Sequence, residues 1–170
     1  MTKTVDVAKY KDMYVQFLQS KHTAVLNFVD EAGKPFSSIV PFIQKDEKFY
    51  IYISEVAEHY QLTENSDVID VMIHADESET KNAFATERVR FACTPKKLGN
   101  EGHEDLFEQF NTSFNRSLMD MLRGLDFALF ELTPIEGRYV VGFGLAFNTT
   151  IDGEKFEHVV VDKSNKGARA

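Results

Sequence analysis

Between residues 23 and 54 the chain offers three β-like runs with little but turn residues between them. TAVLNFVD (23–30) leads into EAGKP (31–35), then FSSIVPFIQ (36–44), the charged turn KDEK and KFYIYIS (48–54). Val, Ile, Phe and Tyr suit a pleated, half-buried surface, and Gly33, Pro35 and the clustered charges punctuate it. Connections this short predict an antiparallel three-stranded meander.

Ahead of the meander, Val7, Tyr10, Tyr14, Phe17 and Leu18 recur at helical steps behind Thr4, a residue able to cap a helix. After it, EVAEHYQLTEN (55–65) suits a short helix and SDVIDVMIHADE (66–77) a strand. SETKNAFA (78–85) reads as a helical turn, and TERVRFACTPKKL (86–98) as a strand broken near Pro95. Leu106, Phe110, Phe114, Leu118 and Met121 predict the longest helix near 103–123, with Gly124 as its stop. DFALFELTP (126–134) and GRYVVGFGLAF (137–147) read as a hairpin turning at IEG. The sum is an α+β fold: a mainly antiparallel, closed or partly closed β-barrel with flanking helices. Residues 1–150 are expected to form the barrel domain and 151–170 a C-terminal tail.

A chain of 170 residues with 43% apolar content can bury the core of one domain. Its net charge of -8 and single adjacent basic pair, Lys96–Lys97, argue against a nucleic-acid partner. The one cysteine, Cys93, excludes a disulfide framework or a Cys-based zinc site within the chain and reads as an inert buried thiol. No run approaches the roughly 20 apolar residues of a membrane span. MTKTVDVAKY has no signal-like apolar core, so a cytoplasmic protein with no membrane partner is expected.

The sequence has no Gly-rich phosphate loop, no serine elbow and no His-Glu-x-x-His. Histidines 22, 59, 74, 103 and 158 never pair at short metal-ligand spacing. Motif arithmetic therefore ends at a β-barrel domain. The order of the pieces goes further. A helix, a strand, a D-x-x-G-x-P turn, a strand, a charged turn, an aromatic strand and a Ser-Glu-x-Ala-x-His segment resemble the pyridoxamine-phosphate-oxidase-like split β-barrel. SEVAEH (54–59), ATERVRFAC (85–93), GLDFALFELTPIEGRYVVGFGLAF (124–147) and a late histidine resemble, more narrowly, the HugZ/HutZ-type haem-utilisation proteins. That resemblance implies the FMN-binding split-barrel type of fold and a homodimer with its ligand at the subunit junction. It also implies an enzyme that opens the haem ring with oxygen and releases iron. The alternatives are an FMN-binding flavoprotein oxidoreductase and a haem carrier without turnover.

Flavin-binding relatives hold the FMN phosphate with an Arg beside the second strand and a Lys where SEVAEH runs here. SSIVPFIQ has no Arg and His59 stands at the second place, so FMN is disfavoured. Lys34, Lys45 or a backbone nest remain for a weak site. In the haem branch a tail histidine ligates iron, which implies His158 as the axial ligand, with Gly142 and Gly144 letting a flat ligand approach. Asp126 matches the acidic residue credited with supporting that histidine across the dimer; its plainer reading is a turn residue accepting a backbone N–H. Arg88 matches the family arginine, whose guanidinium over the open face holds an oxygen ligand or a propionate. Arg90 points to the same face of a strand, and a surface ion pair explains one of the two. His59 matches the family's Ser-Glu-x-Ala-x-His, and helix-start packing explains it as well as chemistry does. His22, His74 and His103 read as surface or packing residues, and Phe107, Phe110 and Phe114 as core. Phe127, Phe130, Tyr139, Phe143 and Phe147 are expected to offer apolar strand surface to a second copy.

Overall fold

A computed structural model describes residues 4–160. Helix α1 (Val7–Gln19) starts at Asp6, not Thr4: the Asp6 carboxylate accepts from the Lys9 amide at 3.1 Å. The strands are β1 (Thr23–Val29), β2 (Pro35–Pro41), β3 (Ile43–Lys45), β4 (Lys48–Ser54), β5 (Ile69–His74), β6 (Arg88–Lys97), β7 (Phe127–Gly142), β8 (Leu145–Thr149) and β9 (Phe156–His158). Among the described residues they form one antiparallel sheet in the order β2-β1-β5-β6-β7-β4-β3, with β8 beside β7 and β9 beside β8. Helices α2 (Glu58–Asn65), α3 (Glu104–Ser113) and α4 (Arg116–Arg123) complete the α+β fold.

The sheet divides on β7. One edge of β7 pairs with β6 along nearly its whole length. The other pairs with β4 over Phe127–Leu132 and then with β8 from Gly137 onward. A strand with different neighbours on its two halves is the split in the barrel, and it overturns the expected hairpin at IEG. Pairing with β6 shifts register at Ile135–Glu136 but resumes at Gly137, which carries β7 past this point, so the reversal comes at Phe143–Gly144 instead.

The meander is corrected too. FSSIVPFIQ breaks into β2 and β3 at Phe42, whose amide bonds to the His22 carbonyl at 2.9 Å, just after Pro41, which has no N–H to give a ladder. β3 and β4 pair across a two-residue turn in which Asp46 and Glu47 take φ of 49° and 61°. β4 then joins β7, not β2. Strand β6, expected to break near Pro95, runs on to Lys97; its pairing with β5 ends at Cys93, so Pro95 has no ladder to spoil on that side. The long helix near 103–123 is two helices, because the Asn115 side chain caps a fresh start by accepting from the Leu118 amide at 3.0 Å.

The main core gathers the inward side chains of the sheet beneath α1, and a second cluster packs Phe107 and Phe110 of α3 against Tyr50, Tyr52 and Leu129. Phe130, Tyr139 and Phe147 are fully enclosed by their own chain, so of the five aromatics expected to face a second copy only Phe143 is strongly exposed. The supposed tail is also part of the body. Ile151 and Phe156 sit in the main core, and the Tyr14 hydroxyl donates to the Ile151 carbonyl at 2.8 Å. The last part of the 151–170 segment, from residue 161, lies outside the described residues.

Candidate functional site

Alternation along β6 sends Val89, Phe91 and Cys93 into the core and turns Arg88 and Arg90 to the outer face. There Arg90 lies opposite Arg138 of β7 and Met72 of β5, while Arg88 lies opposite Val140 and His74. These arginines, with Met72 and Val140, line a hollow of about 240 Å³. Arg90 Nε lies 3.4 Å from Asp70 Oδ1, Arg138 Nε donates to Asn148 Oδ1 at 3.1 Å, and Arg88 Nη1 donates to the Thr86 carbonyl at 2.9 Å. Burial pushes the Asp70 carboxyl above its ordinary range, against the pull of Arg90 and Asn27. Sequence reasoning found Arg88 and Arg90 but missed Arg138. Its signal was present in GRYVV, an arginine one step from a buried tyrosine, but the register that sets it opposite Arg90 is not local.

His158 ends β9, opposite Phe147, with the two ring centroids 5.3 Å apart. Its Nε2 lies 2.8 Å from the Gly144 carbonyl, which can only accept, so Nε2 carries a proton, and in the neutral ring the lone pair is on Nδ1. Gly144 needs glycine for its φ of +68°, in the β7–β8 reversal. A Cβ there would meet nothing within 4 Å, so the position is a turn requirement, and at Gly142 a Cβ would reach ordinary contact with Leu145 at 3.4 Å. Neither glycine lies where a side chain would plug a cleft.

The sequence candidates do not converge in one chain. Phe147 and Tyr139 face the core, so His158, opposite Phe147, is on the other side of the sheet from Arg138 and Arg90. Asp126 precedes β7 at its far end; the strand's 16 residues amount to roughly 50 Å of extended backbone. Its carboxylate accepts from Ser54 Oγ at 3.0 Å and the Val56 amide at 3.3 Å, pinning the turn that leads into α2. His59, near the start of α2, pairs its Nδ1 with Ser38 Oγ at 2.8 Å, and burial lowers its basicity. A hollow of about 580 Å³ beside α1 is lined by none of these candidates. Among the described residues no cluster of His, Cys, Asp and Glu has the makings of a metal site, and no helix is long and apolar enough to cross a membrane.

No protein-family model matches the chain. The fold is nonetheless found in solved proteins of the pyridoxine-phosphate-oxidase family, one of them from Clostridium acetobutylicum, with a TM-score of 0.63 at 12% identity over 87% of this chain and 98% of that one. The architecture is therefore that of a split β-barrel of the pyridoxamine-phosphate-oxidase-like class. Nearer relatives narrow it. The chain is 32% identical over 141 residues to heme oxygenase HutZ of Vibrio cholerae, covering 81% of this chain and 79% of that protein. The crystal structure of that HutZ, described as a heme storage protein, matches with a TM-score of 0.70 at 26% identity, over 81% of this chain and 98% of that one. Campylobacter jejuni ChuZ matches with a TM-score of 0.80 at 26% identity over 92% of this chain, which spans 64% of the ChuZ chain. The protein belongs to the HutZ-type haem-utilisation family.

Proposed function

We propose that the protein binds haem between two copies of the chain and opens the macrocycle with oxygen, releasing iron, with His158 as the axial ligand. The observation that carries this reading is the state of the His158 imidazole. It is partly sheltered at the sheet edge, its N–H is spent on a backbone carbonyl, and one ring nitrogen keeps its lone pair. A carbonyl accepting from the ring N–H raises the basicity of the other nitrogen, as second-shell partners of ligating histidines do. Arg88 is assigned to the open face of the ligand, and Asp126 to support of the partner copy's histidine by its negative charge, since the ring N–H is already given to Gly144. Placement of the histidine and the arginines on opposite faces of one sheet supports a site completed by a second copy. The parentage supports haem as the substrate, since heme oxygenase HutZ shares 32% of its residues over the matched region.

Titration with haemin, followed by ascorbate, tests this directly. The protein is expected to give a Soret band, to bleach it when reduced in air, and to sediment as a dimer. His158→Ala is expected to shift the band and weaken binding by several powers of ten, because only apolar burial and carboxylate contacts remain. Asp126→Asn and Arg88→Leu are expected to bind haemin and bleach it more slowly. An unshifted Soret band in His158→Ala sinks the ligand assignment and makes His59 the next residue to change. A second reading, a haem carrier without turnover, is favoured by the description of the HutZ crystal structure as that of a heme storage protein. A stable Soret band under ascorbate and air would select it.

A further inference from the structure

We propose that Arg90 and Arg138 form a seat for the carboxylates of the haem edge, with Arg88 at its side. This rests on the haem reading above and adds to it two residues that no motif assigns. Like charges placed directly opposite across a ladder destabilise a sheet. Here two arginines stand opposite each other in a chain whose net charge is -8, so general basicity does not explain them.

Their anchoring is asymmetric in a useful way. Arg138 is held through Nε by a hydrogen bond to Asn148, while Arg90 has its Nε only in a looser ion pair with Asp70 at 3.4 Å. Among the described residues the terminal nitrogens of both have no protein partner. An arginine fixed at Nε and open at its fork is prepared to take a carboxylate through two parallel N–H bonds. Two such forks lining one hollow offer two contacts to a ligand with two carboxylates on one edge. Met72 and Val140 give the hollow an apolar part for the adjoining ring carbons. Asp70 supplies only one negative charge, and its partial burial already disfavours that charge.

The test compares haemin with its dimethyl ester, which keeps the iron and the ring but has no carboxylates. Arg138→Gln and Arg90→Gln are each expected to weaken haemin binding by about 10- to 100-fold without moving the Soret position. Binding of the ester is expected to be weak in the parent and equal in both variants. Near-ultraviolet circular dichroism of the variants is expected to match the parent, since both side chains are exposed. If the parent gives no Soret band with haemin, the haem reading fails and takes the seat with it. If the parent binds haemin with a His158-dependent band but both variants bind equally well, the seat alone is overturned. It is also overturned if either substitution turns a dimer into a monomer, which makes the arginines a subunit contact. Loss of FMN binding with haemin affinity unchanged overturns it too, since a phosphate would then be the anion.

Discussion

On its inner face β6 presents Val89, Phe91 and Cys93, each with 0% exposure, while its outer face presents Arg88 and Arg90 across from Arg138. The inner side chains are chosen by volume. Phe91 packs against Phe49 with centroids 5.6 Å apart and fills the space that Gly137 leaves open on β7. On the outer side Arg90 has an ion-pair partner in Asp70, but packing explains neither arginine and no carboxylate answers Arg138 among the described residues. Local rules of stability hold on one face and are broken on the other, a few ångströms away in the same strand. A broken rule on an exposed face points to a ligand or a partner.

The largest effect should come from the inner face. Phe91→Ala is expected to cost about 3–5 kcal/mol in chemical denaturation, the usual loss for an enclosed phenylalanine. A loss below about 1 kcal/mol would mean the inner face is not close-packed, and the contrast with the outer face would collapse. Gly137→Ala comes next. Its new Cβ would lie 2.3 Å from Phe91 Cε1, a distance no relaxed pair adopts, so about 1–3 kcal/mol of overpacking is expected. Combining it with Phe91→Leu should recover part of that loss, because the two positions compete for one volume.

On the outer face the sign reverses. Without ligand, Arg138→Gln is expected to raise the melting temperature by about 1 °C at low salt, and the gain should fade as salt screens the arginine pair. A clear drop instead would show that the guanidinium stabilises the fold, which removes the contrast. The smallest effect is expected at Cys93. Burial pushes its thiol up to about 12, so the thiolate is scarce at pH 8 and alkylating reagents should label it only after unfolding. Labelling of the folded protein would reveal opening of the inner face.

Several pieces of this fold were legible because their causes are local. The stripe from Val7 to Leu18 recurs at helical spacing, and KFYIYIS and RVRFAC carry strand residues whose alternation names the buried set. Misreadings came where one residue or a distant strand decided. Pro41 split a strand, Asn115 restarted a helix, and pairing with β6 on both sides of a bulge carried β7 past IEG. The candidate site divides in the same way. Arg88 and Arg90 could be placed on one face by counting residues, and family likeness singled out His158 and Asp126. The Gly144 carbonyl on His158 and the Ser54 hydroxyl on Asp126 join segments the sequence keeps apart.

By itself the sequence determined that this chain makes an antiparallel α+β barrel, which residues of each strand turn inward, and which family it resembles. Periodicity carries that information, since side chains of a strand alternate whatever lies beside it. Only the tertiary structure decided which strand lies beside which. Its register sets Arg138 opposite Arg90, places His158 on the opposite face from both, and gives β7 two different partners on one edge. Register is fixed by the simultaneous burial of Phe49, Phe91, Tyr139 and Phe147 from four strands, and a one-residue slip would turn each of them out to water.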